Sequence, residues 1–73
     1  HQDGLLFGTL MDNGVALEHR LAADRRAYVQ VARGAANVNG ELLHGGDAAR
    51  ISAGDGVRIE GVDGAEVLLF DLP

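Results

Sequence analysis

Few side chains in this sequence could carry chemistry, and they are scattered. Imidazole for metal ligation or proton transfer comes from His1, His19 and His44. A catalytic metal of the N/O type needs about three or four donors converging, with open positions left for substrate. His19 is the one histidine in a strand-like setting, on a face shared with Val15, Leu17 and Leu21. It is therefore the only candidate ligand, and one imidazole does not hold a divalent ion. Its expected role is a core histidine satisfied by a backbone carbonyl or by water. His44, between Leu43 and Gly45-Gly46, reads as a turn residue, and His1 stands at the start of the chain. Glu18 and Glu66 are lone carboxylates, whereas general acid–base work needs two in different environments. Arg25-Arg26 could clamp an anion but reads as a solvated loop pair. Tyr28 and Gln30 share a face and could line a small pocket; the expectation is that they lie outside the core or bond across the sheet. Gly45-Gly46 is followed by neither a helix start nor Lys-Ser/Thr, so it is a turn and not a phosphate loop. No catalytic and no cofactor-binding residue is expected in this chain.

Composition narrows the field further. The 73 residues make one domain with a net charge of −5. All six bases are arginines, interleaved with eleven acids. A nucleic-acid surface clusters its positive charge, so no nucleic acid is expected as a partner. Lysine is absent, which excludes Schiff-base chemistry and a lysine-tethered carrier arm. Cysteine is absent, so neither disulfides nor thiolate ligands arise. No apolar run approaches the roughly 18 residues of a membrane-spanning helix. The chain begins with His1 and not Met and shows no signal peptide, so its start reads as an internal cut and a cytoplasmic location is the default expectation.

These residues must be positioned by strands. Turn signals recur at Asp12-Asn13-Gly14, Ala23-Asp24, Asn39-Gly40, Gly45-Gly46-Asp47, Gly54-Asp55-Gly56 and Asp63-Gly64. Between them lie strand-like runs at 5–11, 15–21, 27–33, 36–39, 42–43, 48–52, 57–62 and 66–72. Turns spaced this closely point to an all-β sandwich or barrel of short, mostly antiparallel strands, roughly seven or eight in number. Val57 and Ile59 alternate with Arg58 and Glu60, the pattern of a half-exposed strand. Val67-Leu68-Leu69-Phe70 is unbroken, the pattern of a strand covered on both faces. With aromatics limited to Phe7, Tyr28 and Phe70, the core must be built from Val, Leu, Ile and Ala.

Gly34, Asn39-Gly40 and Gly46-Asp47, in this order on short strands, resemble a cupin, which implies a jelly-roll barrel. The longer stretch from Ala27 to Gly34, Val38-Asn39-Gly40, and the ending Glu66-Val67-Leu68-Leu69-Phe70-Asp71-Leu72 resemble the C-terminal cupin half of the pirin-like bicupins, some of which are quercetin dioxygenases. Carried over by position, the cupin metal motifs meet the wrong residues. With Gly34 as the last glycine of the first motif, the glutamate ligand falls on Ala27 and the two histidines fall near 20–23, where none stands. In the second motif, Gly40 as the first glycine puts the proline on Gly46. Anchoring on Gly46-Asp47 instead puts the proline on His44 and the last histidine ligand on Ala49.

The resemblance therefore implies a single C-terminal-type cupin domain over residues 1–73, a non-catalytic structural half packing against an N-terminal cupin half of the same parent chain. It implies no cofactor here and a divalent metal (Fe, Ni, Cu or Mn) in that other half. Two other readings stand beside it. The parent could be a metal-dependent quercetin 2,3-dioxygenase-like enzyme to which this segment lends at most a wall of the site, or the chain could be a metal-free small-ligand-binding barrel. Exposed strand edges add self-association as an expectation.

Overall fold

The computed structural model describes residues 4–52 and 56–73, with side chains from residue 8 onward. His1 and the turn residues Gly54 and Asp55 lie outside the described residues. Six strands follow in chain order: β1 Gly4–Met11, β2 Ala16–Arg20, β3 Arg26–Val38, β4 Glu41–His44, β5 Ala48–Ile51 and β6 Gly56–Leu72. The fold class is all-β, and every strand pairing is antiparallel.

Two long strands form the spine. β3 and β6 pair along nearly their whole length, from Arg26 opposite Leu72 to Val38 opposite Ile59. On the other side of β6, β2 covers its first half and β1 its second. On the other side of β3, β5 covers the first half and β4 the second. The buried cluster takes Met11 from β1, Leu43 from β4 and Ile51 from β5, with Val29, Val31, Ile59, Val67 and Leu69 wholly buried at its centre. Residues this far apart in strand order share one core only if the sheet curls on itself, as a jelly-roll requires.

Among the described residues six strands form, where the turn signals suggest seven or eight. Gly34 and Asp63-Gly64 do not reverse the chain. They bulge it, and the register of β3 against β6 shifts at Val31/Arg33, Arg33/Ala35 and Ala35/Ala36. Both glycines take positive φ, 76° and 47°. A side chain at Gly34 would meet the carbonyl of Gly64 at 2.5 Å. The bulge is held from outside the strand, because Gly64 N–H donates to the Asn13 side chain at 3.1 Å. A positive-φ glycine serves a bulge as well as a hairpin, and only the partner strand decides between them.

Elsewhere the turn residues act as the sequence indicates. Asn39 and Gly40 close the β3–β4 hairpin at φ 50° and 86°. The Asn39 side chain then continues the ladder past the end of β3, accepting from Arg58 N–H at 2.7 Å and donating to the Gly56 carbonyl at 3.0 Å. His44, expected in the turn, is instead the exposed last residue of β4, paired with Ala35, and its N–H donates to the Asp47 carboxylate at 2.9 Å.

Candidate functional site

The interior, where a cupin would hold its metal, is lined with methyl groups. Ala27 is buried in the core on β3, Leu21 is buried just after β2, and Ala49 on β5 packs against the same cluster. The pairings Ala27–Ile51 and Val29–Ala49 place Ala27 and Ala49 diagonally on one face. The positions assigned to ligands do converge, but they carry no donor atoms. Of the two positions taken for proline, His44 is the exposed last residue of β4, opposite Ala35, and Gly46 lies in the exposed turn after it. Among the described residues no group of three or more His, Cys, Asp or Glu is placed to hold a metal ion. The residues present do not fit a cupin metal.

The polar feature of the interior face lies at the barrel mouth. His19 Nε2 stands 3.0 Å from Asp71 Oδ2. Arg25 Nε donates to Asp71 Oδ1 at 2.8 Å, and a second Arg25 nitrogen donates to the Asp71 carbonyl at 3.0 Å. The three side chains are only 20–27% exposed. Arg25 holds the Asp71 carboxyl below its ordinary range, His19 adds to this, and partial desolvation opposes both. The cluster ties β2 and the β2–β3 connection to the end of β6. Its chemistry is that of a clamp, because both carboxylate oxygens and the His19 Nε2 are engaged with one another.

Several expectations change here. His19 does sit on the inward side with Leu17 and Leu21, but Val15 does not join them: it is 49% exposed, because it lies in the turn before β2. The partner of His19 is a carboxylate, not a backbone carbonyl or a water. Arg25 is not a solvated loop residue, and the anion it clamps is internal. Arg26 donates to the carbonyl of Pro73 at 3.0 Å. Glu18 and Glu66 each bind an arginine on the neighbouring strand, Arg58 at 2.8 Å and Arg33 at 2.9 Å. Tyr28 and Gln30 lie half-buried on the outer face as expected, with the Tyr28 ring edge-on to Phe70 at 6.0 Å. Asp71 is the residue that sequence reasoning missed. A usable signal existed: Val67, Leu69 and Asp71 occupy successive inward positions, so an acid there needs a partner.

Beside the clamp an open depression of about 790 Å³ is bordered by His19, Arg20, Leu21, Asn39, Val57 and Arg58. Its hydrogen-bonding groups are largely committed: His19 to Asp71, Arg58 to Glu18, and Asn39 to the backbone of β6.

Comparison with known proteins decides the lineage. The family described as the quercetinase C-terminal cupin domain matches residues 1–72. The chain belongs to that family. It is 34% identical over its whole length to quercetin 2,3-dioxygenase of Escherichia coli K12, of which it spans only 32%. The crystal structure of YhhW from Escherichia coli superposes on 90% of this chain with a TM-score of 0.82 and 33% identity, the match covering 28% of YhhW. The nickel(II) complex of that bacterial pirin gives a TM-score of 0.84 at 32% identity over 90% of this chain and 29% of the pirin. A cupin protein from Bacteroides fragilis shares the fold at 21% identity, with a TM-score of 0.60 over 89% of this chain and 59% of its own. The pirin-like cupin domain therefore spans about a third of the length of the curated relatives it matches.

Proposed function

We propose that this chain is the metal-free structural half of a two-cupin, pirin-like protein. It contributes scaffold and leaves the chemistry to the N-terminal half. The observation that carries the reading is the interior: Ala27, Ala49 and Leu21 occupy the cupin ligand positions, and the one inward imidazole is bound to Asp71. A carboxylate or imidazole needed for a metal would be expensive to retain in so apolar a setting, and methyl groups pack there instead. For the parent protein the reading supposes a divalent metal (Fe, Ni, Cu or Mn) in the N-terminal half and a dioxygenase reaction on a quercetin-like flavonol. Its support is the name and nickel content of the relatives.

The test uses the full-length parent. Loaded with nickel or iron and dialysed, it should keep about one equivalent by elemental analysis, as a single cupin site would. His19→Ala should leave that stoichiometry unchanged. Loss of the ion in the His19→Ala protein would overturn the reading, because a ligand would then lie in this half. The metal-free binding-barrel alternative gains little from the depression at the mouth, whose hydrogen-bonding groups are largely spoken for.

A further inference from the structure

The outer face of β6 is two surfaces. Its outward positions near the start are Arg58 and Glu60, opposite Glu18 and Ala16 of β2. Its outward positions near the end are Leu68, Phe70 and Leu72, opposite Gln30, Tyr28 and Arg26 of β3. Beyond Leu68 on β1 stands Gly8, and Leu10 follows it, 72% exposed. The same strand thus alternates where it meets water and stops alternating after the bulge. A sheet face that carries Leu, Phe and Leu in succession has the composition of a covered surface. Among the described residues nothing covers Leu10.

We propose that this face, formed by Leu10, Tyr28, Leu68, Phe70 and Leu72, docks the preceding half of the parent chain through an apolar surface of that half. The proposal rests on the structural-half reading above and names the surface it uses. Two observations select this occupant. The family match is to a C-terminal domain, and the chain spans only 32% of the relative it matches end to end. Gly4 at the start of β1 pairs with Asp71, between Phe70 and Leu72 on β6. The charges on this face are engaged within the domain: Glu66, opposite Leu10, pairs with Arg33 at 2.9 Å, and Arg26, opposite Leu72, donates to the Pro73 carbonyl at 3.0 Å.

Leu10 and Leu42 provide the test, since both are exposed leucines on this domain, 72% and 48%. In hydroxyl-radical footprinting of the full-length parent, Leu10 should label several-fold less than Leu42, at every protein concentration. Leu10 labelling as strongly as Leu42 would overturn the proposal. Protection that appears only as concentration rises would also overturn it, in favour of a second copy. Leu10→Gln adds no like charge opposite Glu66, so in the full-length parent it isolates the docking. It should lower Tm by about 4 °C or more, while Leu42→Gln changes it by about 1 °C or less. Equal shifts for the two variants would sink the proposal. Its failure is separable from that of the structural-half reading. A parent that keeps its ion in the His19→Ala background while Leu10 labels freely loses only the docking face. Loss of the ion in that background removes the reading itself, whatever Leu10 does.

Discussion

The two halves of β6, residues 56–61 and 65–72, are alike on one side and opposite on the other. Their inward positions, Val57 and Ile59 against Val67 and Leu69, are equally buried and built from the same residue types. Their outward positions are Arg58, paired with Glu18, and Glu60 in the first half; in the second, Glu66, paired with Arg33, gives way to Leu68, Phe70 and Leu72. The exposed bulge at 62–64 separates them. Strand pattern therefore reports the number of covered faces, and one strand can report two different answers.

If the inward faces are equivalent, emptying them should cost the same. Ile59→Ala and Leu69→Ala, both at wholly buried positions, are each expected to lose about 3–4 kcal/mol. Against a typical total of about 5–15 kcal/mol for a native domain, each loss is severe. Urea unfolding of the two variants measures this. A loss at Leu69 below half that at Ile59 would break the equivalence and confine the tightly packed core to the first half of the strand.

The junction between the halves should be the next most sensitive point. Gly34→Ala forces a side chain into φ 76° and against the carbonyls of the β6 bulge. The expected loss is about 2–3 kcal/mol, more than the strain of a positive φ alone. Gly40→Ala is the control, with φ 86° and open space around the added carbon, and should lose only about 1 kcal/mol. Equal losses at the two glycines would mean that the bulge gives way and does not fix the register of the second half.

The all-β class and the outward placement of Tyr28 and Gln30 were legible because they rest on local alternation. The strand count was not. Gly34 and Asp63-Gly64 carry the same local signal whether they turn a strand or bulge it, and the choice depends on a partner strand far along the chain. The barrel-mouth clamp was half legible. Asp71 in an inward position asks for a partner, but His19 and Arg25 lie 52 and 46 residues away, and no spacing rule connects them.

Asp71 anchors the second half to β2, and its effect should depend on pH. Its carboxyl is held below the ordinary value of 3.8, first by Arg25 and then by His19. A carboxyl depressed by folding contributes stability that is complete above its unfolded pKa and lost as pH falls through the lower folded value. Asp71→Asn should therefore be less stable than the parent sequence by about 1–2 kcal/mol at pH 7, the scale of hydrogen bonds to a charged group. The gap should narrow below about pH 4, where the unfolded carboxyl begins to take up a proton while the native one is still held charged. Denaturation midpoints at pH 7 and pH 3 check this. A gap that stays constant would assign the loss to shape and not to charge.

The smallest effect belongs to the charged half. Arg58 and Glu18 pair across β6 and β2 at 2.8 Å, but their side chains are 55% and 70% exposed. Water competes for both groups, and holding two long side chains together has an entropic cost, so such pairs contribute about 0.2–1 kcal/mol. The backbone at this point does not depend on the pair. Arg58 N–H donates to the Asn39 side chain and its carbonyl accepts from Asn39 N–H, whatever stands at the end of the arginine. Arg58→Ala should thus cost no more than about 0.5 kcal/mol in low salt. The difference should disappear in 1 M salt, where the screening length falls to about 3 Å. A loss above about 1 kcal/mol that persists in salt would show that the guanidinium packs as well as pairs. The first half of β6 would then be a covered surface like the second, and the contrast between the two halves would fail.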